Sequence, residues 1–398
     1  MKLLRNAKVF APEPLGVVDI LIYGEHVVAV GAKLDVARAL VDEEIDLRGA
    51  TVVPGFIDQH VHILGGGGGA GPSSRVPEIA VTDATMCGTT TLVGCLGMDC
   101  TARHMPDVLS KARALTGEGI TAFIYTGGCV HPLPNITGGI RSDIYFITEC
   151  LGAGEVPISD LGSVWDSMEE EPIYLAHIGA EARMGGKLTG KAGVVALHLG
   201  DGPKGLSPIF RVLDKTGLSI HTFVPTHINR NDNVFHQAIE YAKRGGTIDL
   251  TASRHPEAGF KGSRKAAPAI KELLGKGVPI DQITMSTDGN GSMAVTNEKG
   301  DLVAALYHPL KALHAEFRDL VKEEGLAIQE ALKPITTNPA GVLRLKTKGR
   351  VRADGDADLV VLDDDLKVRD VWARGRLMVR GGKALVRGFN QWDVLRGL

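Results

Sequence analysis

The chain has 398 residues and a formal net charge of -3 at pH 7, with 44% hydrophobic and 23% charged residues. That length accommodates two or three ordinary domains or one large α/β barrel with an appendage, and the balanced charge excludes the basic surplus that nucleic acid or acidic lipid demands of a partner. Five cysteines, odd in number and without C-x-x-C spacing, argue against a disulfide framework and fit a reducing compartment.

The N-terminal MKLLRNAKVFAPEP has no apolar core before Pro12, and no uninterrupted apolar stretch reaches the ~18 residues of a membrane span, so the expected location is the cytoplasm. KLLRNAKVF, VVDILIYG and EHVVAVG read as short strands parted by turn residues. The closing DADLVVLDD (356–364), KVRDVWARGRLMVRGG (367–382) and KALVRG read alike, so both termini are expected to build one small β domain, a β-sandwich of residues 1–53 and 342–398.

Residues 54–341 have a different rhythm. Apolar, β-branched runs of strand length recur in VVPGFIDQHVH, TLVGCLG (91–97), TAFIYTG (121–127), the region ending at Ile158, VVALHLG (194–200), SIHTFVPTH (219–227), TIDLTAS (247–253) and ITMSTDG (283–289). MPDVLSKARAL, NVFHQAIEYAKRGG and SRKAAPAIKELLGKG follow some of them with apolar residues at three- and four-residue intervals. Eight buried strands alternating with amphipathic helices predict an α/β fold, a closed (β/α)8 TIM barrel. A doubly wound open sheet is the alternative.

In such a barrel the reacting groups occupy the C-terminal ends of the strands. His60 and His62 end the first, Glu155 lies near the end of the fourth, His198 ends the fifth, His227 the sixth and Asp288 the eighth. Residues i and i+2 of a strand project to one side, so His60 and His62 can reach the same ion. Four imidazoles and two carboxylates at one mouth suffice for two zinc-type ions, with the two oxygens of Glu155 as the bridge. His26, His236, His255, His308 and His314 read instead as ordinary hydrogen-bonded histidines, and Cys95 and Cys100 as small buried hydrophobes rather than a redox pair. GFIDQHVHILGGGGG (55–69) follows the first metal-binding strand with glycines. Backbone there, at Gly67 and Gly69, can approach a substrate where side chains would fill the mouth.

GFIDQHVH, HLGD (198–201), PTHINRN (225–231) and STDGNGS (286–292) resemble the metal-binding segments of the amidohydrolase superfamily, specifically the isoaspartyl dipeptidases, and the similarity runs over nearly the whole chain. The resemblance implies a binuclear zinc hydrolase in which His60, His62 and Asp288 bind one ion, His198 and His227 the other, with a hydroxide between them. Much of that family bridges its ions with a carbamylated lysine. Glu155 at the matching place supplies two oxygens unmodified, so no dependence on bicarbonate is expected. Asp288 is the expected general base and then acid toward the leaving amine of an amide.

Arg230, by its two-pronged guanidinium, and Ser292 are the expected contacts to a substrate carboxylate. The family's amine-binding glutamate is Gly69 here, a threonine is Met98, an oxyanion-stabilising tyrosine is Cys129, and an arginine is Gly162. Losing such charged contacts costs about 1.5–3 kcal/mol each, which favours a different, less charged or larger ligand: an N-acyl amino acid, a cyclic imide or a modified dipeptide. His131 is the candidate replacement for the tyrosine. The resemblance also implies a homo-oligomer. The third reading is a catalytically silent relative kept as a binding or assembly protein.

Overall fold

The computed structural model describes residues 1–398 except 70, 162, 164–170, 297–301, 389–390 and 392–398. The fold is mixed α/β. Each apolar run supplies a parallel strand: Phe56–Val61, Thr89–Gly94, Thr121–Thr126, Cys150–Ile158, Val194–Leu199, Phe223–Thr226, Ile248–Thr251 and Ile283–Ser286. The first six pair successively in one sheet, and the last two pair with each other. Hydrogen bonds cross both gaps: Ile228 N donates to Asp249 O (3.2 Å) between the sixth and seventh strands, and His62 N donates to Gly289 O (2.8 Å) between the first and eighth.

Two of the runs are divided. VVPGFIDQHVH breaks at Gly55, and its first half, Thr51–Pro54, leaves for the terminal sheet. SIHTFVPTH begins as a one-turn helix, Ile220–Thr222, before its strand. A hairpin of Ser292–Thr296 and Leu302–Tyr307, which the sequence reading did not anticipate, follows the eighth strand.

The helices form where the apolar spacing placed them, over Met105–Glu118, Asp232–Lys243 and Ala266–Gly275. In the second of these, Val234, Phe235, Ala238, Tyr241 and Ala242 are buried, the three- and four-residue spacing of one helical face. Its start is fixed by Asn231, whose side chain accepts from Val234 N at 2.9 Å, a cap worth about 1 kcal/mol.

Strands from both termini share one nine-stranded sheet. It runs from Lys383–Ala384 through Arg376–Arg380, Val368–Ala373, Leu359–Leu362, Thr51–Pro54, Lys2–Phe10 and Pro14–Tyr23 to His26–Gly31, with Glu43–Asp46 beside Lys2–Phe10. Leu4, Val9, Ile20, Val52, Leu359 and Trp372 pack its core. Gly55 N donates to Asp358 O (2.8 Å), joining this sheet to the start of the first parallel strand.

One buried carboxyl away from the candidate site gives a pH-dependent test of the packing. Glu316 is 4% exposed and accepts from Ala267 N at 2.6 Å. Burial pushes its carboxyl up to about 7, against the opposing pull of that amide and of Lys265. In the unfolded chain the same group ionises near 4.5, so native stability falls as pH rises through the window from 4.5 to about 7. Glu316→Gln keeps an oxygen for Ala267 N–H and removes the ionisation. The variant is expected to match the wild type at pH 5 and to exceed it by about 1–3 kcal/mol at pH 8, read from calorimetric melts. Equal shifts at both pH values would contradict the assignment.

Candidate metal centre

The six anticipated donors meet. His60 Nε2 lies 3.1 Å from Glu155 Oε2 and 3.7 Å from Asp288 Oδ1. His62 Nε2 lies 2.9 Å from Asp288 Oδ1 and 3.8 Å from Glu155 Oε1. His198 Nδ1 is 3.0 Å from Glu155 Oε2 and 3.1 Å from His227 Nε2. Three triads, His60–His62–Glu155, His60–His227–Asp288 and Glu155–His198–His227, each hold their donor atoms within 4.8 Å of one another. Glu155 belongs to two of the triads, one oxygen toward His62 and the other toward His60 and His198.

Local backbone explains the convergence. His227 and Asp288 follow their strands in left-handed conformation, with φ of 62° and 54°; His and Asp tolerate this region better than most residues, and at a strand end it redirects the side chain. Behind His62, Gly97 has φ of +84°, and a Cβ there would stand 2.7 Å from His62 Nδ1. Thr251 Oγ1 lies 2.6 Å from His227 Nδ1, and Arg230 Nη1 3.0 Å from His198 Nε2.

The electrostatics fit a cation. Burial would raise the carboxyl of Glu155, but the imidazoles of His198 and His60 outweigh it and hold it well below the usual range. Asp288 is held low against burial by the imidazoles around it, of which His62 contributes a hydrogen bond and His308 and His227 act only insofar as they carry charge. Burial opposes charge on His60, yet Cys95 and Glu155 hold it well above the ordinary imidazole value, whereas burial and His198 push His227 well below it. His60 Nε2 is buried and, although 3.1 Å from Glu155 Oε2, lacks the alignment of a hydrogen bond. Buried carboxylates gathered with imidazoles call for positive charge among them, from protons or from a cation. The cluster therefore fits a divalent metal site.

A cavity of about 320 Å³ opens over the cluster, and Gly67, Gly69, Met98, Cys129, Arg230 and Ser292 all line it. Cys129 Sγ stands 3.6 Å from Glu155 Oε1, where burial and that carboxylate push its thiol well above the ordinary value. The glycine run is packed. Gly67 has φ of +78°, and a Cβ on it would meet Ser74 O at 2.4 Å and Ser292 Oγ at 2.6 Å. Gly69 differs, because a Cβ there would touch Met98 Sδ at 3.6 Å and nothing closer. His131 lines a separate cavity with Tyr174 and His177. Gly162 lies outside the described residues.

Two of the lining residues that were not foreseen bear on the chemistry. His308, read there as an ordinary histidine, is 2% exposed with Nε2 3.4 Å from Asp288 Oδ2. Ser253 Oγ donates to Thr287 O (2.7 Å), so its contact with His308 Nδ1 (2.5 Å) takes the ring proton and leaves Nε2 as an acceptor toward Asp288. Burial lowers His308 to about 4, which keeps it neutral near pH 7. The other residue is Arg254. No periodicity marks His308, which follows the unanticipated hairpin. Arg254, in contrast, closes the seventh apolar run, the one late strand to which no polar end group had been given.

Imidazoles and carboxylates on the C-terminal ends of parallel strands are the equipment of metal-dependent hydrolases. Residues 210–385 match the model of an amidohydrolase family. The beta-aspartyl dipeptidase of Fervidobacterium islandicum AW-1, solved with a beta-Asp-Leu dipeptide, is 37% identical, with 96% of this chain and 98% of that one covered and a TM-score of 0.88. A deacetylase of Agrobacterium fabrum is 24% identical over 88% of this chain and 80% of its own length. A D-hydantoinase from a Thermus species shares the fold at 16% identity, with 98% of this chain and 97% of that one covered and a TM-score of 0.70. The chain belongs to the amidohydrolase superfamily and, within it, to the isoaspartyl dipeptidase-like family; it is a hydrolase. Among the described residues no helix is long and apolar enough to cross a membrane.

Proposed function

We propose that the chain hydrolyses the amide bond of a small carboxylate-bearing substrate of the β-aspartyl dipeptide type, using two zinc-like ions held by His60, His62, Glu155, His198, His227 and Asp288. The observation that carries this reading is the sharing of Glu155 between two donor triads. The reading takes residues 54–341 as a closed (β/α)8 barrel and residues 1–53 with 342–398 as a small β-sandwich domain. The bonds from His62 N to Gly289 O and from Ile228 N to Asp249 O support closure.

Divalent ions there would supply Lewis-acid polarisation of the amide carbonyl and would acidify water at neutral pH. This chain's residues handle the protons. Asp288 turns Oδ1 to His62 and Oδ2 toward His308, so Oδ2 can take a proton from the attacking water and pass it to the leaving amine. The acceptor Nε2 of His308 faces the same oxygen and keeps such a proton on the inner side of the site. Arg230 binds the substrate carboxylate, Ser292 and the backbone of Gly67 and Gly69 border the substrate, and the thiol of Cys129 stays protonated over Glu155.

Release of aspartate from β-Asp-Leu is the test. Turnover by metal-loaded protein supports the reading, and an inert protein with metal bound contradicts it. That second outcome belongs to an amidohydrolase of other specificity, which the replacement of the amine-binding glutamate by Gly69 favours; among the described residues a Cβ there would meet only Met98 Sδ. Gly69→Glu is expected to raise kcat/KM for β-Asp-Leu at least tenfold, about the effect of one charged hydrogen bond, without changing metal content. An unchanged ratio would remove Gly69 as the cause of altered specificity.

A further inference from the structure

Two guanidinium groups line the cavity, and they differ in how they are held. Arg230 already has an anion: its Nε, though without an aligned hydrogen bond, is ion-paired with Asp201 Oδ1 at 2.9 Å, and its Nη1 contacts His198 and the carbonyl of Leu199. Arg254 is only 5% exposed, lines the same cavity, and its Nε is buried with no hydrogen-bond partner. Among the described residues its guanidinium meets no carboxylate in an ion pair.

The surroundings fix Arg254 without neutralising it. The buried amide of Asn229, the third residue of the HINRN segment, donates to Thr251 O (3.1 Å), Arg254 O (3.3 Å) and Arg264 O (2.8 Å), and accepts from Thr251 N (2.9 Å). The Phe260 ring lies under the guanidinium at 4.8 Å and is itself packed on His308 at 4.7 Å. Burial, with Arg230 nearby, brings Arg254 down to about 10, so it remains charged at neutral pH. A desolvated cation that is rigidly held and left unpaired calls for an anion from outside the chain.

We propose that Arg254 is a specificity-determining residue that grips a carboxylate of the substrate from the seventh-strand side of the cavity. The inference deepens the proposed function and rests on that reading only for the identity of the anion as a carboxylate. A carboxylate matches the planar fork of a guanidinium in bidentate fashion. The substrate is thus an amide with at least one carboxylate clear of the scissile bond, contacted by Arg254 as well as Arg230.

The test is calorimetric binding of succinate, which this enzyme cannot hydrolyse, to metal-loaded wild type, Arg254→Gln and Arg254→Lys, with metal content and melting temperature measured for each. Glutamine is expected to weaken binding at least tenfold, and lysine to recover part of the loss, while metal content stays at the wild-type level. Arg254→Gln binding succinate as the wild type does, or wild type failing to bind it, would overturn the proposal. Wild type that binds succinate through Arg254 but turns over no β-Asp-Leu would sink the proposed activity and leave the anion site standing.

Discussion

Replacing Asp288 by alanine is expected to lower kcat on β-Asp-Leu at least a hundredfold while most of the metal is retained. Asp288 is the one carboxylate with an oxygen outside the imidazole cluster: Oδ1 pairs with His62 at 2.9 Å, and Oδ2 faces His308 at 3.4 Å. General acid and base work of this kind contributes ~10²–10⁴ in rate. His60, His62, Glu155, His198 and His227 remain to hold ions in the variant. Steady-state kinetics with elemental analysis of the same sample reads both quantities. Near-normal turnover would remove Asp288 from the proton path, and loss of metal in step with activity would reduce it to a ligand.

Glu155→Gln is expected to act one step earlier, on the metal itself. The carboxylate reaches His60 and His198 with Oε2, at 3.1 Å and 3.0 Å, and His62 with Oε1 at 3.8 Å. A neutral amide offers one oxygen and no charge, so the imidazoles lose the anion that offsets a buried cation. Metal affinity is expected to fall on the order of a hundredfold or more, and activity with it, as measured by competition with a chelator. Glu155→Asp keeps the charge and loses reach, and should fall between the two. Wild-type activity is expected to be indifferent to added bicarbonate, because a glutamate in the bridging place would need no carbamylation. Full metal content in Glu155→Gln would show that the bridge lies elsewhere.

The strands and the donors were legible in the sequence for the same physical reason. A parallel strand buried on both faces is a continuous apolar run, so polar residues stand out where the run ends, as His62, His198 and His227 do. Glu155 lies three residues inside Cys150–Ile158 and was found near, not at, the end of its run, with the family position agreeing. What the sequence hid depends on contacts between distant segments. Arg254 is recognisable only once Asn229, Phe260 and Arg230 surround it, since an arginine after TIDLTAS looks like any exposed cation. His308 needed the hairpin of 292–307 to bring it back over Asp288. Gly55 splits the first run because the half before it pairs with Leu359–Leu362, a partner about 300 positions away that no local pattern announces.

Counting metal ions in the gently purified protein tests the central claim most directly. The account predicts about two divalent ions per chain, lost together with activity on chelation and restored with it on adding zinc. Protein that is folded, turns over substrate and carries no stoichiometric metal would contradict it.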